Sequence, residues 1–141
     1  MANQTLPTFK PFDNFVCAGD TRSRHYKGCT ITARIEFDQD TGNPGMEYDC
    51  YSPEDIAAWE KSDWCWCGVV VTVHHDEMNI ELGGASLWAC EANLNRDNTH
   101  LDEVANALAK DAWTEVLARA RGTITALHAL VQSDSLAESK T

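Results

Sequence analysis

The chain predicts an α+β fold: an antiparallel sheet of about four strands packed against a long C-terminal helix, with one short helix inserted after the first strand. Three observations carry this. Residues 29–37 alternate apolar and polar side chains, residues 66–73 are rich in β-branched residues, and from residue 101 onward apolar residues recur at spacings of three and four. The 141 residues, 43% hydrophobic and 23% charged, suit one globular domain with its own core.

In chain order, residues 1–26 show no sustained period and contain Pro7, Pro11 and Gly19, so they read as an irregular basic arm whose Phe9, Phe12, Phe15 and Val16 pack partly on the body. Cys29, Ile31, Ala33, Ile35 and Phe37 alternate with Thr30, Thr32, Arg34 and Glu36, the pattern of a strand with one buried face. Turn-forming residues from Asp38 to Gly45 end it. Ser52-Pro53-Glu54-Asp55 then starts a helix over 53–62: Ser52 caps, Pro53 suits the first helical position, and the two acids favour the positive end of the helix dipole.

Trp66–Val73 reads as a central strand with Val69, Val71 and Val73 on one face and Trp66, Val70 and Thr72 on the other. His74-His75-Asp76-Glu77 links it to a short strand at 78–82, and Gly83-Gly84 marks a turn or bulge before another at about 85–91. Thr99-His100-Leu101-Asp102 looks like a second helix start, after which Val104, Leu108, Ala112, Val116, Ala120, Ile124, Leu127 and Val131 draw one apolar stripe. Such a helix is longer than a small sheet covers, and Gly122 is a place for a bend. The domain is thus expected over 27–132, with 133–141 a flexible polar tail.

The net charge of −11 is unevenly placed. Residues 1–34 sum to +3, residues 35–103 to −14 and residues 104–141 to zero. An acid surplus of this size argues against direct nucleic-acid binding, which needs Lys and Arg for the phosphates. No run approaches a membrane span, and no basic patch followed by an apolar stretch marks a secretory signal, so a cytoplasmic protein is expected.

Motifs for chemistry are sparse. Cys65-Trp66-Cys67 lacks the spacing of a zinc knuckle and has no second pair; the six cysteines read as reduced, mostly buried thiols. His74 and His75, adjacent on a strand, point to opposite faces. No nucleophile elbow, phosphate loop or dinucleotide fingerprint is present. The chain therefore reads as non-enzymatic, with no metal and no cofactor. Five tryptophans are many for this length; they suit a core tying helix to sheet, with at least one, Trp66, as an interface anchor.

Two segments resemble a family of short bacteriophage and prophage proteins: Gly28-Cys29-Thr30-Ile31-Thr32-Ala33-Arg34-Ile35-Glu36-Phe37 through Pro44, and Trp64-Cys65-Trp66-Cys67-Gly68 through Glu81-Leu82-Gly83-Gly84-Ala85-Ser86-Leu87-Trp88-Ala89-Cys90-Glu91. With the helix from about Leu101 the resemblance spans roughly 28–118; the chain is shorter than that family between the two segments, and its first 25 residues lie outside it. The resemblance brings no activity, cofactor or catalytic residue; it implies a viral or mobile-element gene acting in the host bacterial cytoplasm.

The function expected from these observations is binding and inhibition of a host protein with a basic surface, such as a defence nuclease or another nucleic-acid-binding protein. Glu36, Asp38, Asp40, Glu47, Asp49, Asp76 and Glu77 would take the places of phosphates, with Trp66 as anchor. The alternatives are an oligomeric binder of a phosphate-bearing small ligand at Arg22, Arg24 and Lys27, and a small zinc protein. The long helix offers a route to a homo-oligomer.

Overall fold

A computed structural model describes residues 5–139. Four antiparallel strands, β1 (Thr21–Tyr26), β2 (Cys29–Phe37), β3 (Cys65–His75) and β4 (Ile80–Ala92), pair in the order β1-β2-β3-β4. Two short helices, α1 (Pro44–Glu47) and α2 (Pro53–Glu60), lie between β2 and β3, and α3 (Thr99–Ser139) closes the chain. The architecture is the α+β arrangement expected, a four-stranded meander with a long C-terminal helix.

Alternation on β2 and β3 builds the core. Ile31, Ala33 and Ile35 pair across to Val73, Val71 and Val69, and all six are at most 2% exposed. Leu101, Ala105, Ala109, Ala112 and Val116 of α3 complete this layer, the three alanines allowing the helix close to the sheet. Ser52 caps α2 through a hydrogen bond from the Asp55 amide, 3.1 Å, with Pro53 at the first helical position.

Four expectations change. First, the segment read as an irregular arm contains β1, and residues 5–16 lie on the body. Phe9, Phe12 and Val16 are buried; the Phe9 amide donates to Asn106 Oδ1 (3.0 Å) and the Phe12 amide to Asp102 Oδ1 (2.7 Å). The buried pair Asn93 and Asn98 finishes the attachment. The Asn93 side chain exchanges hydrogen bonds with the Val16 backbone, and Asn98 Nδ2 donates to the carbonyls of Asp13 and Asn14.

Second, the two strands expected at 78–82 and 85–91 are one strand, β4, crossed by two bulges. Residues Leu87 and Cys90 pair with Val69 and Cys67, leaving Trp88 and Ala89 opposite Gly68 alone; Leu82 is similarly extra between the partners of Val73 and His74. Gly83 and Gly84 lie within the strand where neighbours approach closely: a Cβ on Gly84 would stand 2.4 Å from the Val71 carbonyl oxygen.

Third, α2 ends at Glu60, two residues before the expected limit of 62. Fourth, α3 continues through Gly122 and through the expected flexible tail to Ser139, a helix of 41 residues, about 60 Å. Its entry is capped by Asp97, which accepts the Thr99 amide (3.0 Å) and hydroxyl (2.7 Å); Thr99 itself is already helical. Among the described residues, no helix is long and apolar enough to cross a membrane.

Candidate functional site

The bulge at Trp88-Ala89 shapes one end of the sheet. Ala89 takes a left-handed φ of +58°, which withdraws its amide from the ladder. Asp38, only 7% exposed, accepts that amide through Oδ2 at 2.9 Å. The same carboxylate accepts the amides of Asp40 (2.9 Å) and Thr41 (3.2 Å) and the Thr41 hydroxyl (2.8 Å), so the loop after β2 is tied to the bulge. Burial would raise the Asp38 pKa, but these hydrogen bonds outweigh it and hold the carboxyl below its ordinary range.

The bulge also turns the Trp88 indole over Gly68, leaving it 47% exposed. Phe37, at the end of β2, is 54% exposed. Phe37, Trp88 and Asp40 line a depression of about 500 Å³ with the 38–41 loop. On the other side of that loop, Phe37 shares a cleft of about 600 Å³ with Trp59, Glu60, Trp64 and Trp66. Behind the cleft Tyr48, Tyr51, Trp64 and Trp66 form one aromatic cluster with ring centroids 5.1–6.0 Å apart. Three of its polar groups are matched: the Trp64 and Trp66 indoles donate to the carbonyls of Asp55 (2.8 Å) and Gly42 (2.9 Å), and the Tyr51 hydroxyl donates to Glu91 (2.9 Å). Burial, and then the Glu91 carboxylate, push the Tyr51 phenol well above its ordinary pKa.

This geometry redistributes the residues singled out from the sequence. Trp66 is 3% exposed and hydrogen-bonded inside the cluster, so it is a core residue; the surface tryptophan of this end is Trp88, which the sequence did not distinguish. Its signal was indirect, a bulky indole two strand positions from a cysteine on a strand facing Gly68. Asp38 is an internal acceptor. Asp40 and Asp49 are exposed at the aromatic end, the latter between Tyr48 and Tyr51 of the cluster. Glu47 ends α1, and its side chain lies outside the described residues. Glu36, on the face opposite α3, is engaged by Arg34 in a short ion pair.

Asp76 and Glu77 lie beyond the other end of β3, about ten strand residues or roughly 33 Å away. There Asp76 accepts the Thr30 hydroxyl (2.6 Å) between His25 (3.8 Å) and His74 (3.6 Å); chiefly the Thr30 hydrogen bond keeps its carboxyl below the ordinary range. The seven carboxylates therefore do not form one surface.

The basic residues do not converge either. Arg22 donates to the Pro11 carbonyl (3.2 Å), stacks over the Phe12 ring and pairs with Asp13; Arg24 donates to the Thr8 carbonyl (2.8 Å). Both hold the N-terminal segment against β1. Lys27, in the β1–β2 turn, lies over the Tyr26 ring. Among the described residues no group of three or more His, Cys, Asp or Glu is placed to hold a metal ion, and Cys67 and Cys90 are buried facing each other across β3 and β4.

Fold and site together define a small α+β protein with an acidic, aromatic-rich sheet end and a long helix that outruns its sheet. Comparison with protein-family models, curated proteins and solved structures found no match.

Proposed function

We propose that this chain is a non-enzymatic binding protein whose aromatic end engages a basic segment of another protein. The observation that carries this is the pairing of two exposed aromatic side chains, Phe37 and Trp88, with the Asp40 carboxylate around one depression. Aromatic anchors supply apolar contact at low entropic cost, and a nearby acid selects a partner bearing Lys or Arg. The wider −14 charge of residues 35–103 adds long-range attraction for such a partner.

With the resemblance to short phage proteins, the proposal extends to a phage-type inhibitor of a host protein in the bacterial cytoplasm. A defence nuclease or other nucleic-acid-binding protein has the required basic surface, and an acidic occupant would block its phosphate sites.

The test is affinity capture from host lysate with the intact chain. A partner retained at low salt should be released as salt rises, should be lost on Trp88→Ala or Asp40→Lys, and should persist on Glu77→Lys, which lies at the far end. Retention indifferent to salt, or unchanged by Trp88→Ala and Asp40→Lys, would sink the proposal.

A further inference from the structure

We propose that the C-terminal half of α3 is a self-association surface, on which a second copy of this chain lies antiparallel with the twofold axis at Leu127. The sheet covers α3 as far as Val116, the last buried residue of the helix among those described. Beyond it Ile124, Leu127, Leu130 and Val131 are 65%, 55%, 65% and 63% exposed. Ile124, Leu127 and Val131 follow the three-and-four spacing of a helix–helix seam. Where the helix leaves the sheet it forms an apolar groove of about 520 Å³ with β4, lined by Met78, Ile80, Leu82, Val116, Ala120 and Ile124. Met78 and Ile80 are themselves 61% and 44% exposed, far from the aromatic end.

Charge selects the occupant and its direction. The segment carries its bases, Arg119 and Arg121, at its start and its acids, Asp134 and Glu138, at its end. Antiparallel pairing about Leu127 sets the partner's Asp134 opposite Ala120 and on the same flank as Arg119, whose guanidinium also donates to the Leu82 carbonyl at the groove, with the partner's Leu130 level with Ile124 and the partner's Val131 level with Thr123. Parallel pairing would instead set arginines against arginines and acids against acids. Residues 104–141 sum to zero, whereas residues 35–103 carry −14, so this is the stretch on which two acidic chains meet without pressing their charge together. In the antiparallel arrangement the two bodies stand at opposite ends of the pair, with roughly 33 Å of helix between Val116 of one copy and Val116 of the other.

Sedimentation equilibrium of the full chain tests this. The expected mass is twice the 15.6 kDa of one chain. Leu127→Glu, at the axis, should weaken the dimer by at least about 100-fold, the scale of unpaired charge in an apolar seam, without changing the circular dichroism of an exposed position. Arg119→Glu should weaken it about tenfold, and adding Asp134→Arg should restore it, because only the antiparallel register brings these two positions together. A chain that remains a monomer to millimolar concentration would overturn the proposal. A dimer indifferent to Leu127→Glu would also overturn it, and failure of Asp134→Arg to rescue would overturn the antiparallel register.

Discussion

The indole of Trp88 covers Gly68 so closely that a β-carbon at residue 68 would stand 2.2 Å from its Cε3 atom. The glycine is thus the condition for the bulge to lay Trp88 across the sheet. Gly68→Ala should displace the indole and cost about 1–2 kcal/mol, and Trp88→Ala in the same chain should relieve most of that. Gly84→Ala should cost more, about 3 kcal/mol, because its β-carbon meets the Val71 carbonyl, backbone that has no rotamer to escape into. Urea midpoints of these three variants and of Trp88→Ala alone decide it; equal costs for Gly68→Ala and Gly84→Ala would contradict it.

Asp38 links the loop after β2 to the same bulge. Asp38→Asn leaves one oxygen for donors that the carboxylate's two oxygens now share, and should destabilise the fold by about 2 kcal/mol at neutral pH. The sign of its pH dependence follows from the lowered pKa. The stabilisation is present above the ordinary carboxylate value of 3.8 and is lost as pH falls through the lower folded-state value. The stability gap between native and Asp38→Asn chains should therefore close in acid. A gap that is constant from pH 7 to pH 3 would show that the charge is irrelevant.

The N-terminal segment should behave as part of the core. Phe12→Ala removes a ring that is 7% exposed and should cost about 3 kcal/mol. Arg24→Ala removes the hydrogen bond to Thr8 and should cost about 1 kcal/mol. Hydrogen exchange at the Phe9 and Phe12 amides provides the local readout, since both donate to side chains of α3. Fast exchange at these amides in the native chain would refute the docking.

The thiols should divide by burial. Burial, and then the neighbouring Cys90, push the Cys67 thiol up to about 12, and burial likewise raises Cys29 and Cys90. Cys17 and Cys50 are exposed. A chromogenic disulfide reagent at pH 8 should titrate these two quickly in the native chain and all six of the sequence after unfolding. Mass mapping that finds Cys67 or Cys90 modified in the native chain would contradict the packing.

Strand β2 and the start of α2 were legible residue by residue, because their signals are local: alternation fixed by a single buried face, and a serine, proline and two acids in the order a helix start uses. Strand β1 was not. Its sequence, TRSRHY, is polar on both faces because its core-side arginines bind the N-terminal segment and only Tyr26 packs inward, against Trp113 at 5.0 Å. The unity of β4 was hidden by Gly83-Gly84, which in sequence look like a turn and in the fold serve close approach. Trp66 and Trp88 were indistinguishable as residue types; a bulge opposite Gly68 separates them.

By itself the sequence determined the layers of this protein: periodicity settles which residues form strands and helix and which of their faces seek burial, and the uneven charge settles which part of the chain repels itself. Only the tertiary structure decided which side chains meet. Strand pairing separates Asp40 from Asp76 by the length of β3, the bulge lifts Trp88 out while the loop buries Trp66, and the finite sheet leaves the far half of α3 uncovered. The reason is physical: periodicity reports the environment of one residue against its neighbours in the chain, whereas a binding surface is made by contacts between residues far apart in it.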